Sequence, residues 1–371
     1  MKPILQENKI IGTMSPEEAV FTGMAAASCS GRIAVGRSGM SRMAEMALCA
    51  GIIAMGSDVI LLGKCLETEV FFASRLAGCD LCLYIKDEPL MKIEVRSKGG
   101  LPLDCDTQDR INKKLSQHEF PEDMPEEGTV TDGQGFREVY RQHIEAAVPE
   151  KCPYSVRIGK AAVLPKIHFN GTGNEELVIQ LSADGTKASV YSEKSGFLSY
   201  EKLIFICCLD LFENGKDVGL PFEFPFSADN FAAKFGCKVY RYFENSDGYS
   251  DDKGRKLARE QNFTLDGLYL AVKFISVITK KNVSLKDVSP LIPDFYVTKK
   301  FVELSSEKVD SILNHWEANT TPGGTTFSGK SDRVVMQPSS SGRGLWLQIE
   351  SRNMETAAEL CGKIEEKLKN S

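Results

Sequence analysis

The 371-residue sequence has no apolar run near the ~20 residues that a helix needs to cross a bilayer. Its two most apolar stretches, MALCAGIIAMG and KLIFICCLDLF, are each about a dozen residues long, a length that suits buried elements. A basic cluster is missing as well. The net charge is −6 and the pI is near 5.5, against the clustered Lys and Arg of a nucleic-acid surface. The opening MKPILQENK lacks the apolar region of a secretory signal, so none is expected. Cys79 and Cys82 form a lone C-x-x-C, with no second pair and no Cys-His spacing of the zinc type. In a strand, positions three apart point to opposite faces, so these two thiols diverge. The eleven cysteines, an odd number, read as reduced and buried, and a cytoplasmic location is expected.

What is present is ordinary globular chemistry, 42% apolar and 26% charged. The length exceeds one ordinary core and predicts two to four domains. Residues 33–103 are the best-defined stretch. Ile33 to Val35 predicts a strand running into Gly36-Arg37-Ser38-Gly39. Met43, Met46, Ala47, Ala50 and Ile53, at spacings of three and four, predict the buried face of a helix that Gly56 ends. Val59 to Leu62 predicts a second strand, Thr68 to Ala77 a second helix, and Asp80 to Ile85 a third strand. This alternation implies a parallel sheet with crossover helices. Ligands in such sheets sit at the carboxyl ends of the strands, which directs attention to the turn after Ile85.

Upstream, Ser15-Pro16-Glu17-Glu18 is a helix start, with an N-cap, a first-turn proline and acids at the positive dipole end. Downstream, FPEDMPEEGTVTDGQG reads as an exposed loop, and Phe136 to Ala147 as a helix. EKLIFICCLDLFENG predicts an apolar helix ending at Gly215. PFSADNFAAKFGCKVYRYFE predicts a helix, a glycine stop at Gly236 and a strand. The last segment carries a linker-like TTPGGTTFSGKSDR, then VVMQPSSSGRGLWLQIES and the helix METAAELCGKIEEKLKN.

The segment AVGRSGMSRMAEMALCAGIIAMGSDVILLG resembles the first domain of the α-D-phosphohexomutases, the superfamily of phosphoglucomutase, phosphomannomutase and phosphoglucosamine mutase. There a strand ending in Gly-Arg-Asp precedes a helix ending near A-G-x-x-x-x-G-x-x-V. The resemblance continues through PFSADNFAAKFGCKVYRYFE, through Asp266-Gly267 with its following helix, and through VSLKDVSPLIPDFY. It implies an α/β fold of the phosphohexomutase type, multi-domain with mixed α/β/α domains, a shortened second domain and a small C-terminal α+β domain. The expected divisions are 1–138 (domain I), 139–200 (a truncated domain II), 201–296 (domain III) and 297–371 (a C-terminal phosphate-loop domain IV).

The family's functional loops are where this sequence departs. The third strand should run into T-A-S-H-N-P, whose serine carries the phosphoryl group, but no serine occurs between Ser74 and Ser97. Lys86, Asp87 and Glu88 stand there instead, and of these an aspartate is able to accept a phosphoryl group. The family's D-G-D-x-D-R loop gathers carboxylates for a hard divalent cation. SADGTKAS offers only Asp184, beside Lys187, and Asp184-Gly185 reads as a β-hairpin turn. The sugar loop G-E-x-S-G-H has only Glu260 and Gln261 as stand-ins. The phosphate loop R-P-S-G-T-E-P-x-x-R keeps Pro338 and Ser339, and Ser340, Ser341 and Arg343 are chemically able to hold an anion.

The expectation is therefore a mutase-shaped protein without mutase chemistry. No catalytic residue, metal or cofactor is assigned, with Mg²⁺ implied only if the chain is a divergent active phosphoglucomutase or phosphomannomutase. The partners implied are a sugar phosphate or other anion, a second copy of the chain, or an active mutase relative, and neither nucleic acid nor membrane.

Overall fold

The computed structural model describes residues 3–6, 8–12, 14–87, 91–119, 123, 125–159, 165–171, 173–244, 250–315, 319–321, 324–329, 332–339 and 343–370. The first unit runs β1 (Ile4–Gln6), β2 (Lys9–Ile11), α1 (Pro16–Ala27), β3 (Arg32–Arg37), α2 (Arg42–Ala54), β4 (Asp58–Lys64), α3 (Glu67–Ala77), β5 (Leu81–Lys86), β6 (Lys92–Ser97), α4 (Cys105–Gln117), β7 (Val130–Asp132) and α5 (Gln134–Ala147). Its sheet has the order β1-β2-β6-β5-β3-β4-β7. Strands β3, β4, β5 and β7 are parallel, while β6 returns antiparallel to β5.

Alternation along the strands divides the core between the sheet's two faces. Ile33, Val35, Leu81, Leu83 and Ile85 pack with α1, α2 and α4. Ala34, Ile60, Leu62, Cys82 and Tyr84 pack with α3. Ser15 caps α1 as expected, its hydroxyl accepting from the Glu18 N–H at 3.1 Å. Helix α2 lies where it is predicted, with a different face inward. Ala44, Leu48, Cys49, Gly51 and Ile52 are buried, while Met43 is 67% and Met46 47% exposed. A side chain on Gly23 would strike the Leu48 carbonyl, and one on Gly51 the Val20 carbonyl. Helices α1 and α2 thus meet backbone to backbone through small residues, and that close approach overrides the methionine stripe.

Within the segment expected to be an exposed loop, Val130–Asp132 forms β7 and pairs with β4. The polar stretch before it contains α4, which the hydrophobic pattern reveals only weakly. Asp104 caps it by accepting from the Thr107 N–H at 2.7 Å, and Ile111 and Leu115 bury one face.

The middle of the chain runs β8 (Ser155–Ile158), β9 (Glu176–Leu181), β10 (Ala188–Ser192), β11 (Gly196–Leu198), α6 (Tyr200–Glu213), β12 (Val218–Pro221), α7 (Ser227–Ala233), β13 (Val239–Tyr242), α8 (Asp252–Gln261) and α9 (Gly267–Lys280). Strands β11-β10-β9-β8 form one sheet, and β12 and β13 a parallel pair. A single hydrophobic cluster joins residues from Cys152 to Ile292, so both sides of position 200 fill one core. Phe72, Tyr140, Ile144, Leu268 and Val272 connect the first unit to it, and the Tyr140 hydroxyl donates to Asp266 at 3.1 Å.

The last unit comprises β14 (Tyr296–Glu303), α10 (Ser306–His315), β15 (Asn319–Thr321), β16 (Gly324–Ser328), β17 (Arg333–Pro338), β18 (Gly344–Ser351) and α11 (Met354–Asn370), in the sheet order β14-β18-β17-β16-β15. The stretch expected to be linker-like is thus partly sheet. Thr325, Thr326 and Phe327 of β16, residues that favour strands, pair with Met336, Val335 and Val334.

Candidate functional site

Strand β5 ends at Lys86, and the chemistry at that end is dominated by its ammonium. Lys86 Nζ lies 2.9 Å from Glu67 Oε2, 3.2 Å from Asp184 Oδ2 and 3.3 Å from Glu94 Oε1. Each carboxylate arrives on a different element. Glu67 is the first residue of α3. Glu94 sits on β6 opposite Tyr84, diagonal to Lys86 on the same face of the antiparallel pair. Asp184 lies in the loop of the β9–β10 hairpin.

That loop is seated by backbone as well as by charge. The Glu67 N–H donates to the Asp184 carbonyl at 3.1 Å, and the Gly267 N–H to the Gly185 carbonyl at 2.9 Å. Gly185 has φ of +82° and abuts Leu66 and Thr68, a turn that needs glycine's freedom. Asp184 Oδ1 accepts from the Ser182 hydroxyl at 2.7 Å, and from the Thr186 N–H and hydroxyl at 3.0 and 2.7 Å.

Burial of these groups sets their charges. Burial pushes the Glu67 carboxyl up to about 7, with Glu94 adding to the rise and Lys86 opposing it. Burial works to lower the Lys86 pKa, but Glu67, Glu94 and Asp184 together hold it well above the usual lysine range. The Asp184 carboxyl is held far below the carboxylate range, because Lys86, Ser182 and Thr186 outweigh its burial. Two positions along the same face of β6, Arg96 pairs with Glu244 at 3.0 Å, and the Asn8 amide donates to that carboxylate at 2.8 Å.

Asp87 turns the other way. Its Oδ2 accepts from the Met40 N–H at 2.7 Å and the Ser41 N–H at 3.3 Å, an anion at the positive end of α2. It fits because position 39 is glycine; a side chain there would occupy the carboxylate's place. Arg37 closes the same turn, pairing with buried Glu45 at 2.8 Å and donating to the Gly39 carbonyl. Glu88 lies outside the described residues.

The other expected positions are dispersed. Glu260 is exposed at the end of α8. The Gln261 amide is bonded to the backbone of Gly219, accepting from its N–H at 3.1 Å and donating to its carbonyl, so it ties α8 to β12. Ser339 and Arg343 flank the β17–β18 turn. The Ser339 N–H donates to the Gly344 carbonyl at 2.9 Å, the Leu304 N–H to the Arg343 carbonyl at 3.2 Å, and the Arg343 side chain is exposed. Ser340 and Ser341 lie outside the described residues. Of the described residues among these positions, Lys86 and Asp184 are brought into direct contact. Glu67 and Glu94 are absent from the sequence expectations. For Glu94 the signal is a carboxylate between two apolar strand residues, Ile93-Glu94-Val95; Glu67, in the mixed run Leu66-Glu67-Thr68-Glu69-Val70, has none.

The divalent cation implied by the resemblance does not fit this donor set. Asp184 is the one carboxylate of its loop, its oxygens already receive Lys86, Ser182 and Thr186, and an ammonium stands among its neighbours. Among the described residues, no group of three or more His, Cys, Asp or Glu side chains is spaced to hold a metal ion.

No family model matches the sequence, and no curated protein matches it. Solved structures do match. A phosphoglucomutase/phosphomannomutase family protein from Burkholderia thailandensis has a TM-score of 0.74 at 13% identity, over 99% of this chain and 97% of that one. The open form of a Paramecium phosphoglucomutase, parafusin, has a TM-score of 0.61 at 10% identity, over 100% of this chain and 96% of that one. This chain has the phosphohexomutase fold. The likeness spans nearly its whole length, and at these identities it speaks for the fold alone. Among the described residues no helix is long and apolar enough to cross a membrane.

Proposed function

We propose that this is a phosphohexomutase-fold protein without mutase turnover, a cytoplasmic anion-binding or regulatory homologue. The observation that carries this reading is the state of the β5 strand end. Lys86 is engaged by three carboxylates, and Asp87 spends one oxygen on the backbone N–H groups of Met40 and Ser41, just before α2. Phosphoryl transfer needs a nucleophile and a cation placed against the phosphate charge. Here the nucleophilic serine is missing from the sequence, and the cation at the strand end is already neutralised by the protein's own carboxylates.

The binding half of the proposal rests on the β17–β18 turn, where the exposed Arg343 offers donors for a sugar phosphate or another anion. A divergent active phosphoglucomutase or phosphomannomutase is the second reading. It is favoured by one observation: Oδ1 of Asp87 is buried without a hydrogen-bond partner among the described residues. The test is a mutase assay on a panel of hexose 1-phosphates with Mg²⁺ and a hexose bisphosphate activator. Turnover in the ordinary enzyme range of ~1–10³ per second, lost in Asp87→Asn, would establish the second reading in place of the first.

A further inference from the structure

One face of the last sheet ends in a rung of flat side chains. Phe301 on β14, Trp346 on β18 and Gln337 on β17 are register partners across three neighbouring strands, so their side chains share a face. The next two rungs on that face are covered by the middle of the chain. The Gln348 amide donates to the Glu223 carbonyl at 2.7 Å, and Glu350 accepts from the Phe226 and Ser227 N–H groups at 2.6 and 2.9 Å. Val335 packs with Phe222 and Phe243. That cover stops short of Trp346, which is 47% exposed, and of Phe301, which is 39% exposed. Their rings meet with centroids 5.1 Å apart.

Two glycines make room for this rung. A side chain on Gly344 would strike the Phe301 ring at 2.7 Å, and one on Gly324 would strike the Gln337 side chain at 2.7 Å. The ring and the amide chain therefore lie over bare backbone, and the rung forms an apolar ledge. Polar groups stand at its margin. Glu303, two residues on from Phe301 and on the same face of β14, is exposed. Arg343 lies three residues before Trp346, about 10 Å along the strand at ~3.3 Å per residue, and its carbonyl is bonded to the Leu304 N–H at the end of β14. Its exposed guanidinium has no ion-pair partner among the described residues. A ligand complementary to these groups has an anion at one end, a ring face of C–H groups for the aromatic faces, and hydroxyls to donate to a carboxylate. A phosphorylated sugar has all three.

We propose that Trp346 and Phe301 form a stacking platform for the ring of a phosphorylated sugar, with Glu303 accepting from its hydroxyls and Arg343 holding its phosphate. This placement rests on the anion binding proposed for Arg343 and adds the sugar ring to it. The platform, rather than the guanidinium, sets the preference for a sugar phosphate over bare phosphate.

The test is calorimetric titration of the full chain with inorganic phosphate, glucose 6-phosphate and adenosine monophosphate, in wild type, Trp346→Ala, Trp346→Phe, Phe301→Ala and Arg343→Ala. Wild type is expected to bind glucose 6-phosphate roughly 10-fold more tightly than phosphate, the worth of one good aromatic contact. Trp346→Ala should bring the two affinities together without changing the one for phosphate. Trp346→Phe should keep most of the difference, Phe301→Ala should lose part of it, and Arg343→Ala should weaken both ligands. A preference for glucose 6-phosphate that survives in Trp346→Ala, or is absent from wild type, overturns the platform while phosphate binding upholds the Arg343 reading. If Trp346→Ala fails to fold, Phe301→Ala decides, and an unchanged preference there overturns the proposal. Tighter binding of the nucleotide than of the sugar phosphate overturns the assignment to a sugar. A wild-type chain that binds none of the three removes the anion reading and the platform with it.

Discussion

The end of strand β5 and the β17–β18 turn are both places where the fold offers polar chemistry, and they use it in opposite ways. At the β5 end the ammonium of Lys86 is consumed internally, on carboxylates from α3, β6 and the 182–187 loop. At the β17–β18 turn Arg343 is exposed, and backbone bonds to Gly344 and Leu304 engage the flanking Ser339 and Arg343. The difference is one of desolvation. A buried charge must be paired, so the β5 end is a structural joint. An exposed guanidinium keeps its hydration, which is the basis of the anion binding proposed for Arg343.

The contrast breaks most sharply at Lys86. Lys86→Ala leaves two buried carboxylates without their cation and should lower unfolding stability by about 3–5 kcal/mol, the usual cost of breaking a buried pair from one side, read from urea melts in EDTA. A loss below about 1 kcal/mol would mean that the ammonium is not a joint. Asp184→Asn removes the half-buried partner and should cost less, about 1–2 kcal/mol. A loss as large as that of Lys86→Ala would place the weight on the 182–187 loop itself.

The same cluster has a pH signature. Glu67 keeps its proton in the folded chain up to about 7, against 4.5 for a free glutamate. Between those values the folded state binds more protons than the unfolded one, so stability falls as pH rises through that window. Asp266, also raised by burial to about 6, acts with the same sign over the lower part of it. Glu67→Gln should therefore narrow the melting-temperature difference between pH 5 and pH 7, and an unchanged difference would contradict the assignment. The smallest stability effect belongs to the other region. Arg343→Ala should leave the melting temperature unchanged while weakening phosphate or hexose-phosphate binding roughly 10- to 100-fold, the worth of one charged hydrogen bond of ~1.5–3 kcal/mol. Equal affinity in both proteins would remove Arg343 from any anion site.

Element order was readable in the sequence because it is written in local signals. Ser15-Pro16 starts α1, Gly215 and Gly236 follow the ends of α6 and α7, and apolar runs mark β3, β4 and β5. Helix facing was not readable for α2, since the decisive fact is the fit of Gly51 against Val20 and of Gly23 against Leu48, which periodicity does not encode. The strand in Gly324–Ser328 was hidden by the proline and glycines around it in TTPGGTTFSGKSDR, which read as a linker. At the site, the sequence pointed to Lys86, Asp87 and Asp184 one by one. The contact between Lys86 and Asp184 spans 98 positions, and Glu67 and Glu94 join it only through folding, so the joint itself was out of reach.

On the proposed reading, the β5 strand end is closed by its own ion pairs and takes no phosphoryl group. The most direct measurement is the intact mass of the purified chain after incubation with a hexose 1,6-bisphosphate and Mg²⁺, followed by peptide mapping. The account predicts an unmodified chain with the 81–97 segment unaltered. A phosphoryl group found on Asp87, or on a serine brought to that strand end, would contradict it.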